Sequence, residues 1–434
     1  MKGFAVRLGA IASMTLVEAS RRKAFTILAL FAVALLSSAA FFPAVEMKAR
    51  LRLLEAWSLR AASLFTALVA LFFSGFSLPS DFETRRIYLL VTKPVSKVTV
   101  FLGRFLGFAL LLAVFLGIMG ILTTVFIRSV ALLAGPAFPP LVAFPRRSAL
   151  EFAPRKGQKV KDPDVPRWLV EKEPGAALVW RFRGLDRRDF PETARAEIRL
   201  ILSSRIDPFR ASGNVEIRTG APGREPHLQN LFLQTHEEVS FTFPSAAIGE
   251  DGTLEVDVRP LDGDGRVVGW AESLALYQRP VSFEINFAKG LLLSFLQSLL
   301  VLAVTLMAST FLSAPVSILL GILLYLVGSL HGYVLEGTRD IDRSLTESGG
   351  GHHRTHGPAD EIPRPLLKAA SEISKAVLSV VPDFDRFDFS LWLLKDRAVS
   401  WSDLGRAAFP HTTLQIAVLI TLGMLVMTFK DFSQ

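Results

Sequence analysis

Uncharged apolar runs alternate with charged segments along this chain of 434 residues. A helix rises about 1.5 Å per residue and a hydrocarbon core is about 30 Å thick, so runs of about 20 residues predict membrane-spanning helices. The residues 290–335 carry no charged side chain. They would form a helix of about 69 Å, so two crossings that meet near Pro315 are predicted there. The six predicted spans are 24–43, 61–78, 101–127, 290–312, 316–334 and 409–429.

A charged segment, 80–107, separates the second span from the body of the third. Its basic residues are Arg85, Arg86, Lys93, Lys97 and Arg104, against the acidic residues Asp81 and Glu83. By the positive-inside rule this segment is cytosolic. Six crossings then place both termini in the cytosol and the large segment after the third span outside it. The run before the first span is too long for a secretory n-region, so an uncleaved helix is predicted, preceded by an amphipathic helix over 1–23.

Residues 146–287 have a different pattern, in which apolar and polar side chains alternate. Examples are Leu178, Trp180 and Phe182, then Val215 and Ile217. The same alternation is seen at 239–243, 254–258 and 281–287, with turn residues between the runs. Apolar side chains at every second residue give a strand one apolar face, and this pattern predicts half-buried antiparallel strands. Six or more of them favour an extracytoplasmic β-sandwich.

Three motifs occur in order along the chain, each beside a predicted span. Glu18, Arg21 and Lys23 precede the first span. Glu83 and Thr84 are followed by Lys93-Pro94-Val95-Ser96 and then by Gly103-Arg104. VPDFDRFDFS, at 381–390, precedes the last span, which closes in FKDF. In this order the three motifs resemble those of the ABC-2 type permeases, the membrane subunits of ATP-binding-cassette exporters, and particularly the branch with gliding-motility and copper-enzyme-maturation permeases.

The resemblance implies an all-α, six-helix transmembrane domain, and the β-sandwich predicted from the alternation is an insertion into it. Six segments are predicted in chain order. An amphipathic N-terminal helix at 1–23 is followed by spans one to three at 24–145, with a coupling elbow at 80–100, and by the β domain at 146–287. Spans four and five at 288–335, an extracytoplasmic loop with an amphipathic helix at 336–408, and span six with a short cytosolic tail at 409–434 complete the chain.

The resemblance also implies a cytoplasmic (inner) membrane location and a role as half of an export pathway. The expected partners are a separate ABC ATPase subunit, a second permease subunit that is identical or homologous, and membrane lipids. ATP and Mg²⁺ would bind the ATPase subunit, so no cofactor and no enzyme activity are expected of this chain. The elbow would dock on the ATPase through Asp81, Glu83, Thr84, Arg85, Arg86, Lys93, Pro94 and Val95. The alternative is that its basic residues only orient the spans.

Composition narrows the function further. Half of the residues are hydrophobic, and the mean hydropathy is +0.40, which indicates a polytopic membrane protein. The net charge is +8, but the basic residues cluster beside the spans, where membrane orientation explains them, so no nucleic-acid partner is expected. No cysteine is present, which excludes disulfides and Cys-based zinc sites. No GxxxxGK[ST] phosphate loop occurs.

Several polar residues within the spans are candidates for a substrate path, namely Ser63, Thr66, Ser74, Ser77, Ser309, Thr310 and Tyr325. Ser and Thr also satisfy helix carbonyls anywhere in a membrane, so a purely structural role is the alternative. His352, His353 and His356 form an HHxxH cluster in a Gly-rich segment, where a polar loop is favoured over a metal site. Asp262 and Asp264 favour a hairpin turn over a calcium site. No metal site is therefore predicted.

A second function is compatible with the same pattern. A mechanotransmission subunit would move its extracytoplasmic domain against an envelope partner without transporting anything. A continuous polar path along the second and fifth spans favours export, whereas a sealed helix interface together with an exposed apolar patch on the β domain favours mechanotransmission. A membrane enzyme is the third alternative, although no catalytic constellation stands out in the sequence.

Overall fold

Two units, one helical and one rich in β-strands, contain the residues that the computed structural model describes: 2–21, 24–41, 47–83, 96–133, 142–160, 167–204, 212–235, 237–262, 265–347, 364–408 and 411–429. The helical unit comprises Met1–Pro140, Phe283–Lys395 and Trp401–Gln434. The β unit comprises Leu141–Ser282 and, from far along the chain, Asp396–Ser400.

The α-helices in the described part of the chain are α1 (Lys2–Arg21), α2 (Ala24–Phe41), α3 (Met47–Glu83), α4 (Lys97–Leu133), α5 (Phe283–Ala308), α6 (Ala314–Ser329), α7 (His331–Glu347), α8 (Arg364–Val380), α9 (Ser390–Leu394), α10 (Trp401–Ala408) and α11 (His411–Phe429).

Four of these helices are long and apolar enough to cross a membrane by length and composition, with spans at 49–80 in α3, 97–133 in α4, 283–308 in α5 and 412–429 in α11. α6 and the first part of α7 pass the same test only as a pair, and they are bent by 57° at Leu330. The apolar helix at 26–38 in α2 is shorter than this test requires. Among the described residues, these four helices have the length and composition that a membrane protein requires, whereas the predicted count of six crossings is not confirmed.

The helical unit exposes large apolar side chains that water would disfavour. Phe72, Ile121, Leu319 and Leu414 are each between 42% and 66% exposed. Of the 18 residues 412–429 in α11, only 17% are buried inside the protein. Exposed apolar surface of this kind suits a lipid environment, where helices satisfy their own backbone hydrogen bonds.

The described strands are β1 (Val142–Ala143), β2 (Arg146–Ser148), β3 (Glu151–Arg155), β4 (Gln158–Val160), β5 (Arg167–Glu171), β6 (Ala177–Phe182), β7 (Thr193–Arg199), β8 (Ile201–Ser204), β9 (Ser212–Gly220), β10 (His227–Gln234), β11 (Glu238–Pro244), β12 (Leu254–Pro260), β13 (Gly265–Gly269), β14 (Leu274–Tyr277) and β15 (Val281–Ser282).

All of these strands pair antiparallel with their sheet neighbours. Five form a sheet in the order β10-β9-β12-β6-β3, four form β11-β7-β14-β2, and four form β4-β5-β13-β8. β1 and β15 form a separate two-stranded sheet. Inward side chains from the three larger sheets share one core, which includes Trp180, Ile217, Ile198 and Phe243. The indole nitrogen of Trp180 donates to the Trp270 carbonyl at 3.1 Å, so this buried polar group is satisfied. A β-sandwich-like region is thereby confirmed.

The last strand predicted from alternation, over 281–287, differs from the structure. β15 ends at Ser282, and α5 begins at Phe283. Phe283 and Phe287 are both buried, and their rings lie 5.5 Å apart on one face of that helix. Apolar residues four apart suit helical spacing as well as alternation, and packing within the helical unit selects the helix.

Candidate functional site

The segment predicted as a coupling elbow is described only at its two ends. α3 ends with Asp81 and Glu83, and α4 begins at Lys97. The hydroxyl of Ser96 accepts a hydrogen bond from the Thr99 backbone at 3.2 Å, so the serine of the Pro-Val-Ser motif caps α4. The other predicted coupling residues, which are Thr84, Arg85, Arg86, Lys93, Pro94 and Val95, lie outside the described residues, as does the HHxxH cluster.

Two of the motifs that carry the family resemblance meet in space. The guanidinium of Arg104 in α4 donates to the carboxylate of Glu18 in α1 at 2.7 Å, and the Arg104 side chain is only 4% exposed. Gly103 and Gly107 lie on the same contact, where an added Cβ atom would come within 2.6 Å of Ile11 and 2.7 Å of Thr15. Small residues four apart allow two helices to approach closely. α1 therefore packs against α4 rather than only covering a lipid surface.

A polar cavity of about 280 Å³ lies within the helical unit. It is lined by Leu59, Arg60, Ser63, Leu64, Ser294, Gln297, Tyr325, Ser329, Phe384, Asp385, Phe387 and Asp388. These residues come from α3, α5, α6 and the VPDFDRFDFS motif. Motif and spans together thus enclose one site.

Hydrogen bonds and packing fix the motif over the end of α6. The backbone nitrogen of Phe384 donates to the Gly328 carbonyl at 3.1 Å, and its ring lies 5.6 Å from that of Tyr325. A Cβ atom on Gly328 would overlap the Phe384 ring, so a glycine is needed at this close approach. The carboxylate of Asp385 accepts from the Gly332 backbone at 3.0 Å, beyond the bend between α6 and α7.

An ion pair connects the motif to α3 at the cavity wall. Arg60 donates to the Asp388 carboxylate at 2.8 Å and to the Ser390 hydroxyl at 2.6 Å. Burial opposes ionisation of Asp388, but hydrogen bonds from Ser390 and Arg60 outweigh it and lower the pKa of Asp388 below its usual range. The carboxylate therefore stays charged and keeps Arg60 in place.

Two of the predicted substrate-path residues line the cavity, and the other five do not. Ser63 and Tyr325 line the cavity, and the Ser63 hydroxyl donates to Gln297 at 2.8 Å. Thr66, Ser74, Ser309 and Thr310 are buried, and each hydroxyl donates to a carbonyl of its own helical turn. The Ser77 hydroxyl is buried with no hydrogen-bond partner among the described residues.

Sequence reasoning did not find several cavity residues. Gln297 lies in the middle of an uncharged run, and Asp385 and Asp388 enter the sequence argument only as part of the resemblance motif. A glutamine in the middle of a predicted span is the available signal for the first, because an uncompensated amide is costly in hydrocarbon.

The β unit contains a second polar cluster. Arg397, in the late segment Asp396–Ser400, donates to Glu197 and Glu238 at 3.1 Å each. The Tyr277 hydroxyl donates to Glu197 as well. The Phe144 nitrogen donates to the Asp396 carbonyl at 2.7 Å, and the Ala398 nitrogen donates to the Phe144 carbonyl at 2.9 Å. These bonds incorporate the late segment into the β unit.

Candidate metal sites gain no support from the described residues. No group of three or more potential ligands is found among them. Asp262 accepts from the backbone and side chain of Asn214, at 3.1 and 3.3 Å, while Asp264 is outside the described residues. Asp262 thus contacts the first residues of β9, an arrangement that is compatible with the predicted turn.

Comparisons with known proteins identify no family. No family pattern and no characterised protein matches the sequence. Among solved structures, "Structure of PfGH50B" is similar over 30% of this chain and 23% of its own length, at 9% identity with a TM-score of 0.22. A similarity this low establishes no common fold.

Proposed function

We propose that this chain is the permease subunit of an ABC-2 type exporter in the cytoplasmic membrane. It would form half of the translocation pathway beside a second permease subunit, and ATP would be hydrolysed on a separate ATPase subunit. The observation that carries the proposal is that the resemblance motifs, which are far apart in sequence, participate in two specific arrangements of the helical unit. Glu18 pairs with Arg104, and the 381–390 motif closes a polar cavity.

The position of the cavity along α3 supports coupling at a distance. Arg60, at the cavity, is 23 residues from Glu83, where α3 ends before the elbow. That separation corresponds to a rise of about 35 Å, which is close to the thickness of a hydrocarbon core. The elbow follows the last residue of α3, and the cavity lies along the same helix about 23 residues earlier, so motion applied to the elbow would change the cavity walls.

The test uses the elbow itself. Glu83→Ala and Pro94→Ala retain every basic residue, so orientation in the membrane should not change. If the elbow docks on an ATPase, each variant should bind the ATPase more weakly, or its ATP hydrolysis should no longer respond to the membrane subunit. Both effects are measured in complexes purified from native membranes. The matched control is Glu372→Ala, which removes an exposed carboxylate far along the chain. Normal association and normal coupled hydrolysis in both elbow variants would overturn the coupling role.

Mechanotransmission is the second candidate function, and two observations favour it. Thr66, Ser74, Ser309 and Thr310 donate to their own helices instead of forming a polar path. The Asp396–Ser400 segment, which directly precedes α10 and α11, is bonded into the β unit through Arg397. Movement of these helices would therefore pull on the β unit through a short stretch of chain. Substrate-independent ATP hydrolysis that alters the protease sensitivity of the β unit would favour this candidate.

A further inference from the structure

We propose that the cavity in the helical unit binds the ammonium group of an amphipathic ligand. This inference rests on the proposed function, because it assigns a substrate class to the cavity of the permease. The observations that support it are the charge balance of the cavity, its buried amide and its aromatic and apolar walls.

The charges that line the cavity do not balance. Among the described lining residues, Arg60 is basic, whereas Asp385 and Asp388 are acidic. Arg60 already forms an ion pair with Asp388 at 2.8 Å. Asp385 accepts a backbone hydrogen bond from Gly332, which is neutral. The lining residues therefore have a formal net charge of −1, which is the carboxylate of Asp385. A negative charge at a partly enclosed site attracts a cation and disfavours an anion.

Gln297 indicates a second group on the ligand. Its side chain is only 7% exposed, and its oxygen accepts from Ser63 at 2.8 Å. Gln297 lines the cavity, and its amide nitrogen forms no hydrogen bond with the described residues, so two N–H groups are available to a ligand. A ligand oxygen, as in an ester, hydroxyl or phosphate, would accept from it. The ligand therefore combines an ammonium group with an oxygen acceptor.

The remaining walls suit an amphipathic molecule. The ring of Tyr325 lines the same cavity as Asp385 and packs against the Phe384 ring, and aromatic faces attract ammonium groups. Leu59, Leu64 and Phe387 provide apolar surface, and Leu64 is 47% exposed on the lipid-compatible face of α3. A hydrocarbon tail could lie along this surface while the head group occupies the cavity. The source would be a phospholipid with an amine head group or a free amphipathic amine.

The first experiment uses the absence of cysteine from the chain. A single cysteine is introduced by Ser63→Cys, and separately by Ser329→Cys in case the first disturbs Gln297. The rates of modification by a cationic and by an anionic methanethiosulfonate reagent are compared in the full chain. The cationic reagent should react faster, and Asp385→Asn should lower the ratio of the two rates by roughly fivefold.

The matched control for this ratio is Asp383→Asn. Asp383 belongs to the same motif, but it pairs with Arg386 at 2.7 Å and does not line the cavity. The ratio should be unchanged in this variant. A ratio that does not respond to Asp385→Asn at either cysteine, or that responds equally to both substitutions, would overturn the proposal.

The second experiment separates the two sources. The Ser63→Cys variant is placed in nanodiscs of phosphatidylglycerol, with or without phosphatidylethanolamine, and alkylation of the introduced cysteine is timed. Protection by phosphatidylethanolamine supports a lipid head group, and protection only by added sphingosine, which has an ammonium group and two hydroxyls, supports a free amphipathic amine. An alkylation rate that is the same in both lipid compositions and is not lowered by sphingosine overturns the inference. No ATPase is present, so failure here is distinct from failure of the elbow test.

Discussion

Arg397 offers the sharpest test of how the late segment joins the β unit. Its side chain is 12% exposed, and it contacts Glu197 and Glu238, which are 13% and 24% exposed. Replacing Arg397 by Met retains most of the aliphatic packing but removes both charge-assisted hydrogen bonds. It also leaves two neighbouring carboxylates without this guanidinium. Removing one partner of a buried ion pair costs about 3–5 kcal/mol, and the partial exposure of Glu238 reduces this to about 2–4 kcal/mol.

Hydrogen exchange of the full chain, followed by mass spectrometry, measures this loss locally. The Ala398 amide donates to the Phe144 carbonyl, so its exchange reports opening of the late segment. A loss of about 2 kcal/mol corresponds to roughly thirtyfold faster exchange. The control Arg386→Met removes an ion pair between neighbouring residues, with Arg386 52% exposed, and should change this amide by less than about threefold. Unchanged exchange at Ala398 in Arg397→Met would refute the reasoning.

Three further predictions concern pH, helix packing and topology. Burial and the hydrogen bond to Glu197 raise the pKa of Tyr277, so the folded chain holds this proton more tightly than the unfolded one. The resulting stability is present below about pH 10 and is lost as pH rises towards the raised pKa, so the gap in urea midpoint between the native chain and Tyr277→Phe should shrink above pH 10. Gly107→Leu should destabilise the helical unit by about 1–3 kcal/mol in thermal unfolding, whereas Gly117→Leu on the same helix, where a Cβ meets nothing within 4 Å, should have little effect; equal effects would contradict the α1–α4 contact. Single cysteines at Ser96, Ser212 and Ser348 should react with an impermeant thiol reagent in intact cells only at the last two, and labelling at position 96 would invert the predicted topology.

Local pattern was sufficient for most of the secondary structure. Uncharged runs predicted α3, α4, α5 and α11 because a helix in lipid needs apolar side chains on every face. Alternation predicted β6, β9 and β12 because each strand buries one face. It did not reveal β10 (HLQNLFLQ), whose exposed face includes Leu228 and Phe232, so apolar residues occur on both faces. At 283–287 two periods fitted the same residues, and only packing decided between them.

The groups that carry the proposals were decided by tertiary structure. Arg104 and Glu18 are 86 residues apart, Ser63 and Gln297 are 234 apart, and Arg397 and Glu197 are 200 apart. The sequence alone determined that these polar residues lie in or beside apolar runs and strands, and that most of them would need partners. Which partners they have depends on how the helices and sheets pack, because an ion pair or a cavity forms between surfaces whose residues have no fixed separation along the chain.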